Sequence, residues 1–138
     1  MEATSEPAAG SPGREIIVDL AGELRSSPGG GALWRLGSGE DLQANLVRIE
    51  PGHEIGAHRN DEVDVLLLVV EGSGELQVDQ RFHPLAPATL AHLPKGSVRA
   101  IRAGDLALVY LSIHRRRGGL AIGRPPAPGE PESGRSGT

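Results

Sequence analysis

Apolar residues in this chain fall in short runs separated by turn-forming residues. The runs are Ile16 to Val18, Leu33 to Leu36, Leu42 to Ile49, Val63 to Val70, Leu76 to Val78, Thr89 to Leu93, Val98 to Ile101 and Leu106 to Ile113. Pro28 to Gly31, Pro51-Gly52, Gly72 to Gly74, Pro94 to Gly96 and Ala103-Gly104 punctuate them, supplying fixed or positive φ where the chain must reverse. Many short strands at this spacing predict an all-β sandwich or barrel. Between Val65 and Val70 every residue is apolar, and because side chains alternate along a strand, both faces of this one are apolar. That pattern predicts a strand buried on both sides, and 41–50 and 104–114 read similarly. A single helical turn is expected over Asp19 to Arg25, where Leu20 and Leu24 lie four apart and Asp19 can cap the start.

The ends differ from the middle. Gly and Pro make up 12 of the 29 residues in positions 1–13 and 123–138, where large apolar side chains are nearly missing. Both stretches are expected to be disordered tails around one folded unit at 14–122. Within 138 residues there is room for one core. With one Trp, one Tyr and one Phe that core must be aliphatic, and the aromatic platforms that bind single-stranded nucleic acid cannot be built.

Charge and cysteine content narrow the partners. A formal net charge of −4 and a single lysine, Lys95, argue against nucleic acid and anionic membranes as ligands. The longest uninterrupted apolar run, Val65 to Val70, is far too short to cross a bilayer, and the N-terminus lacks a secretory pattern, so no membrane association is expected. The absence of cysteine removes disulfides, thiolate chemistry and zinc fingers, and a cytoplasmic location is expected. Any metal would need nitrogen and oxygen ligands, which directs attention to His53, His58, His83, His92 and His114. His53-Glu54-Ile55-Gly56-Ala57-His58 is not a zinc-protease helix: its histidines are five apart, and Pro51, Gly52 and Gly56 break any helix.

One spacing pattern does hold. Gly52-x5-His58-x-Asn60-x4-Val65-x6-Gly72 is followed, after fifteen residues, by Ala88-x5-Pro94-x-Gly96-x2-Arg99-x3-Ala103. This resembles the paired motifs of the cupin superfamily, Gly-x5-His-x-His-x3 or 4-Glu-x6-Gly and Gly-x5-Pro-x-Gly-x2-His-x3-Asn, over Trp34 to His114. The resemblance implies a double-stranded β-helix, or jelly-roll, barrel. It also suggests a homodimer. In metal-binding cupins the ligands are the two histidines and the glutamate of the first motif and the histidine of the second. The matching positions here are His58, Asn60, Val65 and Arg99, so one ligand of four is kept. A guanidinium has no lone pair to give, which argues against the standard metal centre.

Three functions remain open at this point. The first is binding of a small molecule, with an anionic one as the natural choice, oriented by His58, Asn60, Glu62, Asp64 and Arg99 without a cofactor. The second is an isomerase, epimerase or lyase in which His58 and a carboxylate serve as acid and base, with His58, Asp64 and Arg99 as candidate catalytic residues. The third is an oxygenase or isomerase using Fe, Mn or Zn on His58 and Asp64, helped by His92 or His114. The direction of Asp64 separates these: a turn at Arg59-Asn60-Asp61 with a one-residue bulge would bring Asp64 inward, where Arg99 could pair with it or with Glu62. His92 is expected to be a hydrogen-bonded core or barrel-lining residue, and His53 and His83 to be exposed.

Overall fold

The computed structural model describes residues 14–37, 39 and 41–117; the tails expected at 1–13 and 123–138, and 118–122 of the expected domain, lie outside the described residues. One short helix, α1 (Leu20–Ser26), precedes nine strands. These are β1 (Gly31–Arg35), β2 (Leu42–Ile49), β3 (Glu54–Arg59), β4 (Val65–Glu71), β5 (Gly74–Val78), β6 (Arg81–Leu85), β7 (Leu90–Leu93), β8 (Val98–Ala103) and β9 (Leu108–Arg115). They form a five-stranded sheet in the order β1-β2-β9-β4-β7 and a four-stranded sheet in the order β3-β8-β5-β6, with every pairing antiparallel. The chain alternates between the two sheets, which is the jelly-roll arrangement expected from the sequence. No described helix is long and apolar enough to cross a membrane.

Alternation fixes which side chains meet between the sheets. Val65, Leu67 and Val69 of β4 stand opposite His114, Ser112 and Tyr110 of β9, which stand in turn opposite Gln43, Asn45 and Val47 of β2. From the other sheet, Leu76 and Val78 stand beside Ile101 and Arg99, and Ile55 and His58 stand on their far side. The aliphatic members of these rows, with Ile49, Leu85, Leu93, Ala103 and Leu108, form the core. Each removed side chain of this size contributes roughly 1.5–3 kcal/mol on leaving water.

Two strands had no apolar run to announce them. β3 and β6 carry mostly exposed residues, including Glu54, Arg59, Arg81 and His83, and both are edges of the four-stranded sheet. Polar and charged edges resist pairing with other chains, so their missing hydrophobic signal has a physical cause. Conversely, Ile16 to Val18 forms no strand, and α1 is anchored from the sheet: Arg48 of β2 donates from Nη2 to Leu24 O (3.0 Å) and from Nη1 to Ser27 O and to Gly29 O (2.9 Å).

Two turn positions explain the motif spacing. Gly72 has φ +87°, and a Cβ there would overlap the backbone carbonyl of Ala107, so only glycine lets β4 turn into β5 at this place. Ala88 occupies the motif position that is glycine in the cupin pattern, and it keeps a left-handed φ of 71°. Its N–H donates to Val69 O (2.8 Å), which holds the strained backbone in place. Ala88→Gly relieves a left-handed alanine and loosens the unfolded chain; the net expectation is a gain of about 0.5–1 kcal/mol, read as a higher denaturant midpoint with an unchanged slope.

Candidate functional site

The site grows from the crossing between β3 and β4. Asn60 follows β3 directly, and its Oδ1 accepts hydrogen bonds from the backbone N–H groups of Glu62 (2.9 Å) and Val63 (3.2 Å). Its own carbonyl accepts from Gly96 N (2.7 Å), tying in the Pro94–Ser97 turn. This side-chain-to-backbone turn carries the chain from the four-stranded sheet to the five-stranded one. The expected hairpin between residues 58 and 64 is therefore a crossing between sheets, and no bulge rotates Asp64 inward. Val65 takes the inward position, fully buried, as strict motif spacing requires.

Asp64 and Glu62 consequently lie on the outside of the barrel. Asp64 Oδ2 accepts from His92 Nε2 (3.0 Å) and its Oδ1 accepts from Lys95 N (2.9 Å), with both side chains more than half exposed. Glu62 Oε1 is 3.9 Å from Arg117 Nε. Neither carboxylate reaches Arg99, so the expected pairing of Arg99 with Asp64 or Glu62 is not formed. His92, expected in the core or barrel lining, is an exposed partner of Asp64, because β7 pairs with β4 so that His92 stands opposite the outward Leu66. His53 and His83 are exposed as expected.

Inside the barrel the polar groups are of a different kind. Arg99 of β8 is 0% exposed, and its Nε, Nη1 and Nη2 make no hydrogen bond among the described residues. Buried guanidinium groups are ordinarily paired and hydrogen-bonded, because removing an ion from water costs several kcal/mol. Two further buried polar atoms also lack partners: Asn60 Nδ2 and Tyr110 Oη. The amide orientation of Asn60 is set by the two N–H groups on Oδ1, which leaves Nδ2 as an unused donor. Burial pushes the Tyr110 phenol pKa up, so its hydroxyl keeps its proton. Burial, and next the charge of Arg117, lower the pKa of Arg99, which still carries its charge at any ordinary pH.

His58 and His114 complete the interior. His58 stands directly opposite Arg99 in the β3–β8 register, and its Nδ1 lies 2.9 Å from Gly56 O. His114 on β9 is buried, and its Nδ1 lies 2.8 Å from Arg115 O, which assigns a proton to that nitrogen. Burial lowers the His114 pKa, and the charges of Arg117, Arg116 and Arg99 lower it further against the opposing effect of the Arg115 carbonyl. His114 is thus neutral at neutral pH, and sequence reasoning offers it only as an auxiliary metal ligand alongside His92, with no face assigned. The alternation of β9, with Tyr110, Ser112 and His114 on one face, was the signal that could have found it.

A metal does not fit this interior. The four inward motif positions are His58, Asn60, Val65 and Arg99, and they offer one imidazole, one amide, a hydrocarbon and a fixed positive charge. No group of three or more His, Asp or Glu residues that could hold an ion occurs among the described residues. Arg99, Asn60 Nδ2 and Tyr110 Oη are all groups that can donate. An acceptor-rich, negatively charged group matches that set, whereas a cation does not.

The outer carboxylate makes a separate, checkable statement. The Lys95 N–H, followed by His92, holds the Asp64 pKa below the usual carboxylate range. A depressed folded-state value means that ionised Asp64 favours the fold above its unfolded pKa, and the effect fades as pH falls through the folded value. In a carboxyl-carbon NMR titration Asp64 should titrate below an unstructured aspartate, and His92→Gln should raise its midpoint only in part, because the Lys95 N–H remains.

Comparison with known proteins follows the same lines. The sequence profile of the cupin domain matches residues 45–114, from β2 to β9. The 5-nitrosalicylic acid 1,2-dioxygenase of Bradyrhizobium sp is 37% identical over 67 residues, covering 48% of this chain and 32% of that protein. The chain thus spans about a third of the length of that relative. Among solved structures, BH2720 from Bacillus halodurans superimposes with a TM-score of 0.63 at 26% identity, over 74% of this chain and 81% of that one. KdgF from Halomonas sp. gives 0.60 at 20% identity, over 69% and 88%. Rru_A2000 from Rhodospirillum rubrum, described as a cupin-2 domain, gives 0.56 at 24% identity, over 60% and 58%. The last two likenesses concern the fold alone. With its profile match, its two-sheet barrel and its motif spacing, the chain belongs to the cupin domain family.

Proposed function

We propose that this protein binds a small anionic molecule inside the barrel, without the standard cupin metal centre. The observation that carries this reading is the fully buried Arg99, whose three nitrogens have no hydrogen-bond partner among the described residues. A carboxylate or phosphate oxygen pair meets the guanidinium fork, and Asn60 Nδ2 and Tyr110 Oη are unused donors of the same interior. His58, opposite Arg99, and neutral His114 complete the polar lining. The Glu62 and Asp64 side chains lie outside this set, near Arg117 and on His92 and the Lys95 N–H respectively. The cysteine-free composition supports a cytoplasmic setting.

The test uses thermal denaturation with acetate, salicylate, malonate and inorganic phosphate, each against wild type and Arg99→Met. At least one anion should stabilise the wild type by about 2.7 kcal/mol when present at a hundredfold its Kd. Arg99→Met should lose that response while its ligand-free stability stays level or rises by about 1 kcal/mol or more, because a buried unpaired charge has been replaced by a thioether. If no anion stabilises the wild type, or if Arg99→Met responds equally, the binding reading fails. A variant that simply unfolds would instead make Arg99 structural.

A catalytic reading draws on one specific finding. The matched dioxygenase acts on 5-nitrosalicylic acid, a carboxylic acid that a buried guanidinium suits. Under this reading His58 moves a proton beside a carboxylate or enolate held by Arg99, as in an isomerase, epimerase or lyase. Oxygenase chemistry would require a metal that the inward residues do not suit. Elemental analysis of untagged protein incubated with Fe, Mn and Zn is expected to give well under one ion per chain. Stoichiometric metal that disappears in His58→Ala would overturn the metal-free site.

A further inference from the structure

The end of β9 carries a run of positive charge that the interior site does not use. Arg115, Arg116 and Arg117 follow one another where the strand finishes, beside the crossing from β3 to β4. Arg116 is taken up on one side: its N–H donates to Asp41 O (2.7 Å) and its Nε to Gly39 O (3.0 Å). Arg115 is taken up on the other, where its Nη2 donates to Glu62 O (3.3 Å). Both spend these donors on neutral carbonyls. Arg117 differs. Its side chain is only 21% exposed, yet among the described residues its one ionic partner is Glu62 Oε1 at 3.9 Å, beyond hydrogen-bond distance.

Arg117 stands close to the interior polar set. Its partner Glu62 belongs to the turn in which Asn60 Oδ1 accepts from Glu62 N, so the Asn60 amide and the carboxylate facing Arg117 share one turn. Arg99 lies at this same end of the barrel, because Gly96 N donates to Asn60 O (2.7 Å) and β8 starts at Val98. His114 is on the strand that leads into Arg117. The electrostatics agree: burial lowers the pKa of Arg99 and of His114, and Arg117 is the next influence on the first and the largest charge acting on the second. A half-exposed ion pair longer than a hydrogen bond contributes little to stability, so Glu62 can turn to solvent at small cost when another acceptor takes its place.

We infer, building on the anion site at Arg99 proposed above, that Arg117 is a second anion-binding residue at the rim of the barrel, and that the ligand is a small dicarboxylate whose outer carboxylate takes Arg117 from Glu62. A single carboxylate on Arg99 leaves Arg117 with its long contact to Glu62. Two carboxylates joined by a short chain give each guanidinium a charge-assisted pair. Because both acids belong to one molecule, the second contact forms intramolecularly and adds affinity without a second association step.

Calorimetric titration of the full chain with acetate, malonate, succinate and glutarate tests this. In wild type at least one diacid should bind about tenfold or more tighter than acetate, and the three diacids should differ, because one chain length matches the spacing of the two arginines best. Arg117→Gln should bring that ratio to about threefold or less, and Glu62→Gln, which removes the competing acid, should raise it. Glu62→Gln reads the same contact from its other side, so a poorly folding Arg117→Gln still leaves the result decided. Diacids that bind no better than acetate overturn the inference, as does an equal advantage at all three lengths, which net charge alone would give. A ratio unchanged in Arg117→Gln, or lowered in Glu62→Gln, does the same. In each of these outcomes, acetate binding that is lost in Arg99→Met leaves the interior anion site standing. If none of the four acids binds, the dicarboxylate assignment falls, and the anion site is then decided by salicylate and phosphate.

Discussion

The register of β4 between β7 and β9 is the constraint on which the rest of this barrel depends. Val65, Leu67 and Val69 are the centre of the inward face, at 0%, 0% and 1% exposure, and a slip of one residue would send all three to the other side. The same register decides what Asp64 can do. With Val65 inward, Asp64 is outward, its carboxylate is satisfied by His92 and the Lys95 backbone, and among the described residues no acid is left inside to compensate Arg99. One strand's alternation thus determines both the filling of the core and the sign of the charge inside it.

That sign is positive, and it is set by a side chain that works against stability. A guanidinium withdrawn from water with no hydrogen bond is a costly placement, and a barrel selected for stability alone would hold an apolar residue there. Its neighbours act in both directions, and Tyr110 favours the charge. His58 opposite is a histidine, His114 is held neutral by burial, and Arg117 adds like charge. Metal-binding members of the family carry histidines and a glutamate where this chain has Asn60, Val65 and Arg99 beside His58.

The two faces of the five-stranded sheet divide the labour. The inward face carries Tyr110, Ser112 and His114 from β9, while the outward face of the same strand carries Leu111, Ile113 and Arg115.

Much of this was legible before any fold was known. Apolar runs and turn residues gave the all-β class, and the motif spacing gave the barrel and its inward positions, because spacing between turns fixes alternation along each strand. Arg99 was recognised as incompatible with a metal from its chemistry alone. The edge strands β3 and β6 were not legible, since charged edges carry no hydrophobic pattern. Nor was the direction of Asp64, because a one-residue bulge leaves no mark in the sequence and would have reversed it. His92 misled for the same reason: a histidine in an apolar strand looks alike on either face until a neighbouring strand fixes the register. By itself the sequence determined which residue types stand at each motif position, a property of the chain. Only the tertiary structure decided which charges share an interior, because that depends on pairings between strands distant in sequence.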